Sequence, residues 1–165
     1  MERPGVTGIS NPEARFRELH EQRDGLYRAV ALAVGDVSLA AEAIDEAMAR
    51  AYARWDRIRH YDNPEGWIYR VAINWCRSAM RKRSREELRE HVPEPAGIEP
   101  LSDLDIRRAV QRLPLKFRVV VVARYFQDWS TAETADALNL PIGTVKSRLK
   151  RALSRLERDL EGMDL

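Results

Sequence analysis

Apolar residues recur along this chain at helical spacing, in runs separated by clear breaks. Asn11 followed by Pro12 supplies an N-cap and a first helical position. Phe16, Leu19, Leu26, Val30 and Val34 then keep one face apolar until Gly35 stops the run. A second helix is predicted after Ser38, where Ile44, Met48, Ala51, Trp55 and Ile58 step by four, three, four and three. Asn63-Pro64 repeats the cap-plus-proline signal, and Trp67, Ile68, Val71, Trp75 and Ala79 line a third helix that runs into an Arg/Lys block. These helices predict a small bundle.

The pattern fails between about Ser84 and Leu101, where Pro93, Pro95, Gly97 and Pro100 mark an extended linker. A second module opens on Ser102-Asp103-Leu104-Asp105, a capping-box pattern, and carries Ile106, Val110 and Leu113 as far as Pro114. Leu115–Gln127 is ambiguous, because Val119–Val122 has the β-branched composition of a strand. Helix is the prediction, since no partner strand is found elsewhere in the chain. Ser130-Thr131-Ala132-Glu133 is another capping box, opening a short helix with Ala132, Ala135 and Leu138 on its apolar side. After the break at Asn139–Gly143, a last helix carries Val145, Leu149, Ala152, Leu156 and Leu160. The expected architecture is all-α: a disordered tail (1–10), a helical domain (11–85), an acidic Pro-containing linker (86–101) and a second helical domain (102–165).

Composition adds bounds. The 165 residues include 28 Lys+Arg and 26 Asp+Glu, a net charge of +2, which by itself argues weakly against nucleic acid. The distribution reverses that inference. Asp36–Asp56 is acidic, Arg70–Arg89 basic, Glu90–Asp105 acidic without a base, and Ile142–Arg158 basic. No apolar run approaches the length of a membrane span, and Met1–Ser10 lacks the stretch of a secretory signal, so a cytoplasmic protein without membrane insertion is expected. His20, His60 and His91 have no ligand spacing, and Cys76 is the only cysteine, so no disulfide, zinc site or cofactor is expected. There is no Gly-rich phosphate loop either, and an enzyme is not expected.

A short capped helix, a turn with Gly143 and a basic amphipathic helix follow the grammar of a DNA-reading helix-turn-helix. Val145, Leu149, Ala152 and Leu156 fix the second helix to its domain, while Thr144, Lys146, Ser147, Arg148, Lys150 and Arg151 project elsewhere. Arg and Lys reach guanine edges or phosphates, and Ser and Thr do either. In the first module, Trp67, Tyr69 and Trp75 sit among Arg70, Asn74, Arg77, Arg81, Lys82 and Arg83, the mixture of stacking surface and positive charge that single strands need. Trp75 reads as core; Trp67 is open between core and stacking. The helix with Glu42, Asp45, Glu46 and Arg50 is acidic on its polar face, which suits a protein partner or a solvated surface.

These residues also carry a resemblance. Gly143–Ala152 (GTVKSRLKRA) is similar to the region 4 signature of the extracytoplasmic function (ECF) group of bacterial sigma factors. Leu113–Arg118 resembles the opening of that region, Ala40–Tyr52 resembles region 2.2, and Asn63–Asn74 resembles regions 2.3 to 2.4. The matches occur in the family's order. The resemblance implies a subunit that joins core RNA polymerase, with region 2 on the β′ clamp helices and region 4 on the β flap. It implies double-stranded −35 contacts from Thr131, Thr144, Lys146, Ser147, Arg148, Lys150, Arg151 and Arg155. It implies −10 recognition and melting by Arg59, Tyr61, Asp62, Asn63, Trp67, Arg70, Asn74, Arg77 and Arg81, with the single strand held there, and polymerase contact by Glu42, Asp45, Glu46 and Arg50. Asp45 departs from the Gln common in the family. Many members have an anti-sigma partner. The rival is a dimeric helix-turn-helix repressor or activator acting without polymerase on palindromic sites.

Overall fold

The computed structural model describes residues 11–87 and 104–162. The expected tail, most of the linker, and Ser102 and Asp103 of the first capping box lie outside the described residues. Among the described residues every regular element is helical. The N-terminal module holds α1 (Pro12–Glu21), α2 (Arg23–Val34), α3 (Val37–Ala53), α4 (Trp55–Ile58) and α5 (Pro64–Glu87). The C-terminal module holds α6 (Leu104–Arg112), α7 (Leu115–Val121), α8 (Thr131–Leu138) and α9 (Ile142–Glu161). α7 widens into a π-helical turn over Val122–Phe126.

The expected first helix is two helices. Gln22 closes α1 and opens α2, and the change of direction lays α1 against α4. There the Trp55 indole donates to the Pro12 carbonyl at 2.6 Å, and Phe16 stands edge-on to Trp55 and Tyr52 at 5.2 Å. The spacing of apolar residues spans this bend without a break, so periodicity alone does not show it. The second helix begins before Ser38. Asp36 is its N-cap, accepting from the Leu39 N–H at 2.9 Å and from Arg83 at 3.1 Å. It ends at Ala53, and Trp55 and Ile58 belong to the separate turn of α4 while still pointing into the core.

α3 is the centre of the N-terminal module. Ala40, Ala43, Ala47 and Ala51 are fully buried beside Leu39 and Ile44, and small side chains let α2 and α5 approach closely. α5 answers with Ile68, Tyr69, Ala72, Ile73 and Cys76. Gly35 ends α2 at φ 77°, and a Cβ there would lie 2.5 Å from the Gln111 side chain of the other module.

α7 resolves the strand-or-helix ambiguity. Val119, Val120, Val121 and Val122 are 2%, 0%, 3% and 0% exposed, so this turn is covered on every side, while Lys116 in the first turn is exposed. Phe117 and Val121 pack with Leu113 and Ala152, and Val120 packs with Ala135 and Val145. Val119, Val122 and Ala123 join the core of the N-terminal module instead. The two modules therefore share one continuous core. Polar contacts reinforce it: Tyr69 donates to the Val119 carbonyl at 2.9 Å, Gln127 to that of Gly25 at 3.2 Å, and Gln111 to that of Leu32.

The α8 capping box forms as expected, with Ser130 and Glu133 bonded reciprocally at 3.0 and 2.6 Å. The apolar side of α8 differs from the expectation. Ala132 is exposed, while Thr134, Ala135 and Ala137 are buried and Leu138 half-buried, because α5 covers a second side of this helix. α9 keeps its predicted stripe, with Val145 and Ala152 fully buried.

Burial pushes the Cys76 thiol up to about 12, helped by Asp36 and partly offset by Arg83. The thiol is wholly inside and points at the Leu39 carbonyl. At pH 8 the native protein should react with a thiol reagent on the order of a thousandfold more slowly than the urea-unfolded chain, as the thiolate fractions require. Because the folded pKa is raised, the unfolded chain loses this proton first. Unfolding free energy should therefore fall as pH climbs from about 9 towards 12. Equal reactivity of folded and unfolded chains would refute this.

Candidate nucleic-acid interface

The turn before α9 is set by Asn139, which adopts the left-handed conformation at φ 52°, and by Pro141, which caps the helix. This turn aims the outer face of α9 at solvent. Lys146, Ser147, Lys150 and Arg151 are all exposed there, and the pairs Lys146/Lys150 and Ser147/Arg151 are each four residues apart, so they form one basic strip. The Ser147 hydroxyl donates to the Thr144 carbonyl at 3.1 Å. Thr144 and Thr131 are half-buried at the helix starts. Arg155 is exposed, with its guanidinium 5.0 Å from the centre of the Phe117 ring. Arg148 stands apart from this strip. It is half-buried and turned to the N-terminal module.

In the N-terminal module, Asn63 caps α5 by accepting from the Gly66 N–H at 2.8 Å. Its amide nitrogen is buried without a partner, as is the Arg59 Nε. Tyr61 is half-buried against the core and Asp62 is exposed. Trp67 is 9% exposed and belongs to the core, which leaves little of its ring for stacking. Trp75 is also packed against the core, but only partly buried. His60, Tyr61, Asp62, Asn63, Trp67 and Arg70 line a cavity of about 410 Å³ whose other wall is Asp136, Ala137 and Asn139 of the α8 segment.

A smaller cleft follows along the same seam. Arg70, Ile73, Asn74 and Arg77 of α5 face Val119, Leu138, Leu140 and Arg148 across about 40 Å³. Burial holds the Arg77 guanidinium below its ordinary pKa, and Arg148 and Arg81 add to the effect. Arg81 itself is exposed, one turn beyond the seam. The α5 face expected to meet DNA is thus the face that the C-terminal module covers.

The acidic helix face is separate. Glu42 and Asp45 are exposed on α3, Asp45 pairs with Arg23, and Glu46 pairs with Arg50 at 2.8 Å. Sequence reasoning missed the seam. Gly66 lies where α8 crosses α5, and a Cβ on it would sit 2.7 Å from that of Ala137. Thr134 of α8 and Tyr69 of α5 are both fully buried, and Tyr69 stands edge-on to Trp129 just before α8. Gly66 in the first turn of a helix was the one available sign, since glycine weakens a helix unless something needs its space. Among the described residues no cluster of His, Cys, Asp and Glu is placed to hold a metal, and no helix is long and apolar enough to cross a membrane.

Comparison with known proteins agrees with this layout. Residues 18–86 match the family model "Sigma-70 region 2", and residues 103–156 match "Sigma-70, region 4". The chain is 37% identical to the RNA polymerase sigma-E factor of Streptomyces avermitilis over 87% of its own length and 83% of that protein. It is 32% identical to the ECF RNA polymerase sigma factor SigM of Mycobacterium tuberculosis, over 87% and 74%. Among solved structures it resembles the sigma factor RpoE in its co-crystal with the anti-sigma factor NepR from Bartonella quintana. That likeness has a TM-score of 0.73 and 24% identity, covering 88% of this chain and 95% of the other.

Gly66→Ala should force α8 away from α5, and Tyr69→Phe should remove a buried hydrogen bond worth about 1 kcal/mol. Hydrogen exchange of α5 and α8 amides should accelerate by about fivefold in Tyr69→Phe and by more in Gly66→Ala, with α3 unaffected. Unchanged protection in both variants would mean that the seam contributes no stability.

Proposed function

The chain is an RNA polymerase sigma factor of the sigma-70 family, in the ECF group, and on that premise we propose which of its faces does which part of the work. The carrying observation is the exposed strip of Lys146, Ser147, Lys150 and Arg151 on the second helix of a helix-turn-helix. Its side chains are free of the core and reach outward together, as reading a major groove requires. We assign them to the −35 element, with Thr131, Thr144 and Arg155 at the margins and Arg148 joining once it leaves the seam.

The −10 element falls to the Arg59–Asn63 loop and to Arg70, Asn74, Arg77 and Arg81 on α5. Asn63, Trp67 and Arg70 form the α5 side of the cavity, a surface suited to receive a base turned out of its stack once α8 withdraws, an extrusion that costs a few kcal/mol and is recovered by contacts there. Trp67 forms part of the wall of that pocket and is held by the core, so it acts as a fixed apolar surface. Glu42, Asp45, Glu46 and Arg50 form an accessible acidic face on α3 and suit the β′ clamp helices; the C-terminal module suits the β flap. Synthesis belongs to the polymerase, and the chain brings no catalytic group of its own. Its place of work is the bacterial cytoplasm, where polymerase and promoter are found.

Closure bears on the mechanism. With α8 forming the opposite wall, the Asn63–Arg70 surface is covered while Asn74 and Arg81 stay exposed, so full −10 binding calls for polymerase to separate the modules. An anti-sigma partner fits the apolar groove of about 530 Å³ between α2, α6 and the end of α7. Val37 and Phe126 are exposed there at 40% and 45%, and Arg28 and Arg107 stand at its rim, a match for an amphipathic acidic helix. Val37→Asp with Phe126→Asp should abolish capture by such a partner, and undiminished capture would remove the assignment.

Run-off transcription with purified core polymerase tests the main reading. Arg151→Ala with Lys150→Ala should lower −35-dependent transcription at least about fivefold while binding to core persists. Glu42→Lys with Glu46→Lys should weaken core binding itself. Promoter-independent transcripts, or dimeric footprints on palindromes without polymerase, would overturn the sigma assignment for these faces.

A further inference from the structure

Arginine is seldom half-buried without a counter-charge, because desolvating an unpaired ion is unfavourable. Arg70, Arg77 and Arg148 are all half-buried, and among the described residues none of them forms an ion pair with the protein. They come from both modules and line one small cleft together. Its other walls are Ile73, Val119, Leu138 and Leu140, with the Asn74 amide alongside. Among the described residues no carboxylate lines it. Asp62 and Asp136 line the larger neighbouring cavity, which shares only Arg70 with this cleft. Arg81, one turn further along α5, adds positive charge on the same side. Closing the modules therefore gathers like charge over an apolar floor, where each charge counts for more than in water.

We propose that this seam is an anion site: one phosphate-sized oxyanion, held by Arg70, Arg77 and Arg148 with Asn74 beside them, bridges the two modules and locks them closed. The cleft of about 40 Å³ has room for a few water-sized groups, enough for one tetrahedral oxyanion and too little for a nucleic-acid backbone. Guanidinium forks from two helices match the geometry of phosphate oxygens. The chemistry is shared by two sources with opposite effects. Free phosphate, or the terminal phosphate of a small metabolite, sits between the modules and favours closure. DNA phosphodiesters take the same arginines one module at a time and favour opening. The proposal goes beyond the promoter assignments and stands on the closed packing alone.

The test uses the full chain at pH 7.5. Inorganic phosphate is titrated against sodium chloride at matched ionic strength, with thermal midpoint and small-angle scattering as readouts. Phosphate should raise the midpoint in a saturable manner and keep the radius of gyration compact, while a short nonspecific duplex should expand it. Arg148→Gln and Arg70→Gln should each raise the half-saturating phosphate concentration about tenfold or more. Arg17→Gln, on the exposed side of α1, should leave it unchanged. The pair of cleft variants keeps the result readable if one of them folds poorly. A chloride response equal to that of phosphate, or an equal loss in Arg17→Gln, would overturn the proposal. So would phosphate binding that expands the chain. Transcription is not read here, so a failure of the −35 and −10 assignments would leave this result standing, and the reverse.

Discussion

The structure depends on the Val119–Val122 turn, at the end of α7, having no solvent-facing side. A helix with Val119, Val120, Val121 and Val122 all buried must be covered from every direction, and a single small module cannot do that. α9 and α8 cover Phe117, Val120 and Val121, and the N-terminal module covers Val119, Val122 and Ala123. Separating the modules exposes the latter set to water. Burying a valine is favourable by roughly 1.5 kcal/mol or more relative to leaving it exposed, so closure has a real driving force without needing a large interface. The Tyr69 hydroxyl, fully buried and bonded to the Val119 carbonyl, fixes the register of that contact, since its donor has no water to turn to.

From this constraint follows the placement of the functional faces. α7 and its π turn dock on α2, with Tyr69 of α5 reaching the Val119 carbonyl, and this places α8 across α5. Gly66 and Ala137 permit the crossing, and Arg148 arrives opposite Arg77 as a by-product. The two surfaces proposed for DNA are therefore treated unequally. The strip from Lys146 to Arg151 remains open, while Arg70, Asn74 and Arg77 lie at the seam. The acidic face of α3 is untouched by the packing and is available whether the modules are closed or apart.

Charge gains a spatial meaning as well. The net value of +2 is a sum of opposed blocks. Folding brings parts of the two basic blocks against each other at the seam. Elsewhere acid meets base: Glu46–Arg50 is a local pair within α3, and Asp36–Arg83 ties the start of α3 to α5. At the seam there is no such match, so the apolar contacts that close the modules work against repulsion among arginines. The balance between these terms is what an anion or a polymerase can tip.

Much of this was legible in the residue order. Period and capping signals located the helices of both modules, and Ser130/Glu133 formed the expected box because a capping box is a local arrangement of neighbouring backbone and side-chain groups. The region 2 and region 4 likenesses came from contiguous runs, which is why a resemblance could name the family and the function. The bend at Gln22 and the break at Arg54 were not legible, since apolar spacing is preserved across both. Nor were the burial of Thr134 and Ala137, the loss of Trp67 to the core, or the turning of Arg148 away from its own strip. Each of these is decided by a residue from the other end of the chain. Hydrophobic periodicity records which side of a helix is buried against something, but it does not record against what. Local grammar thus determined the elements and the chemistry they carry. Long-range burial of α7 decided which of those chemical surfaces face solvent and which face each other.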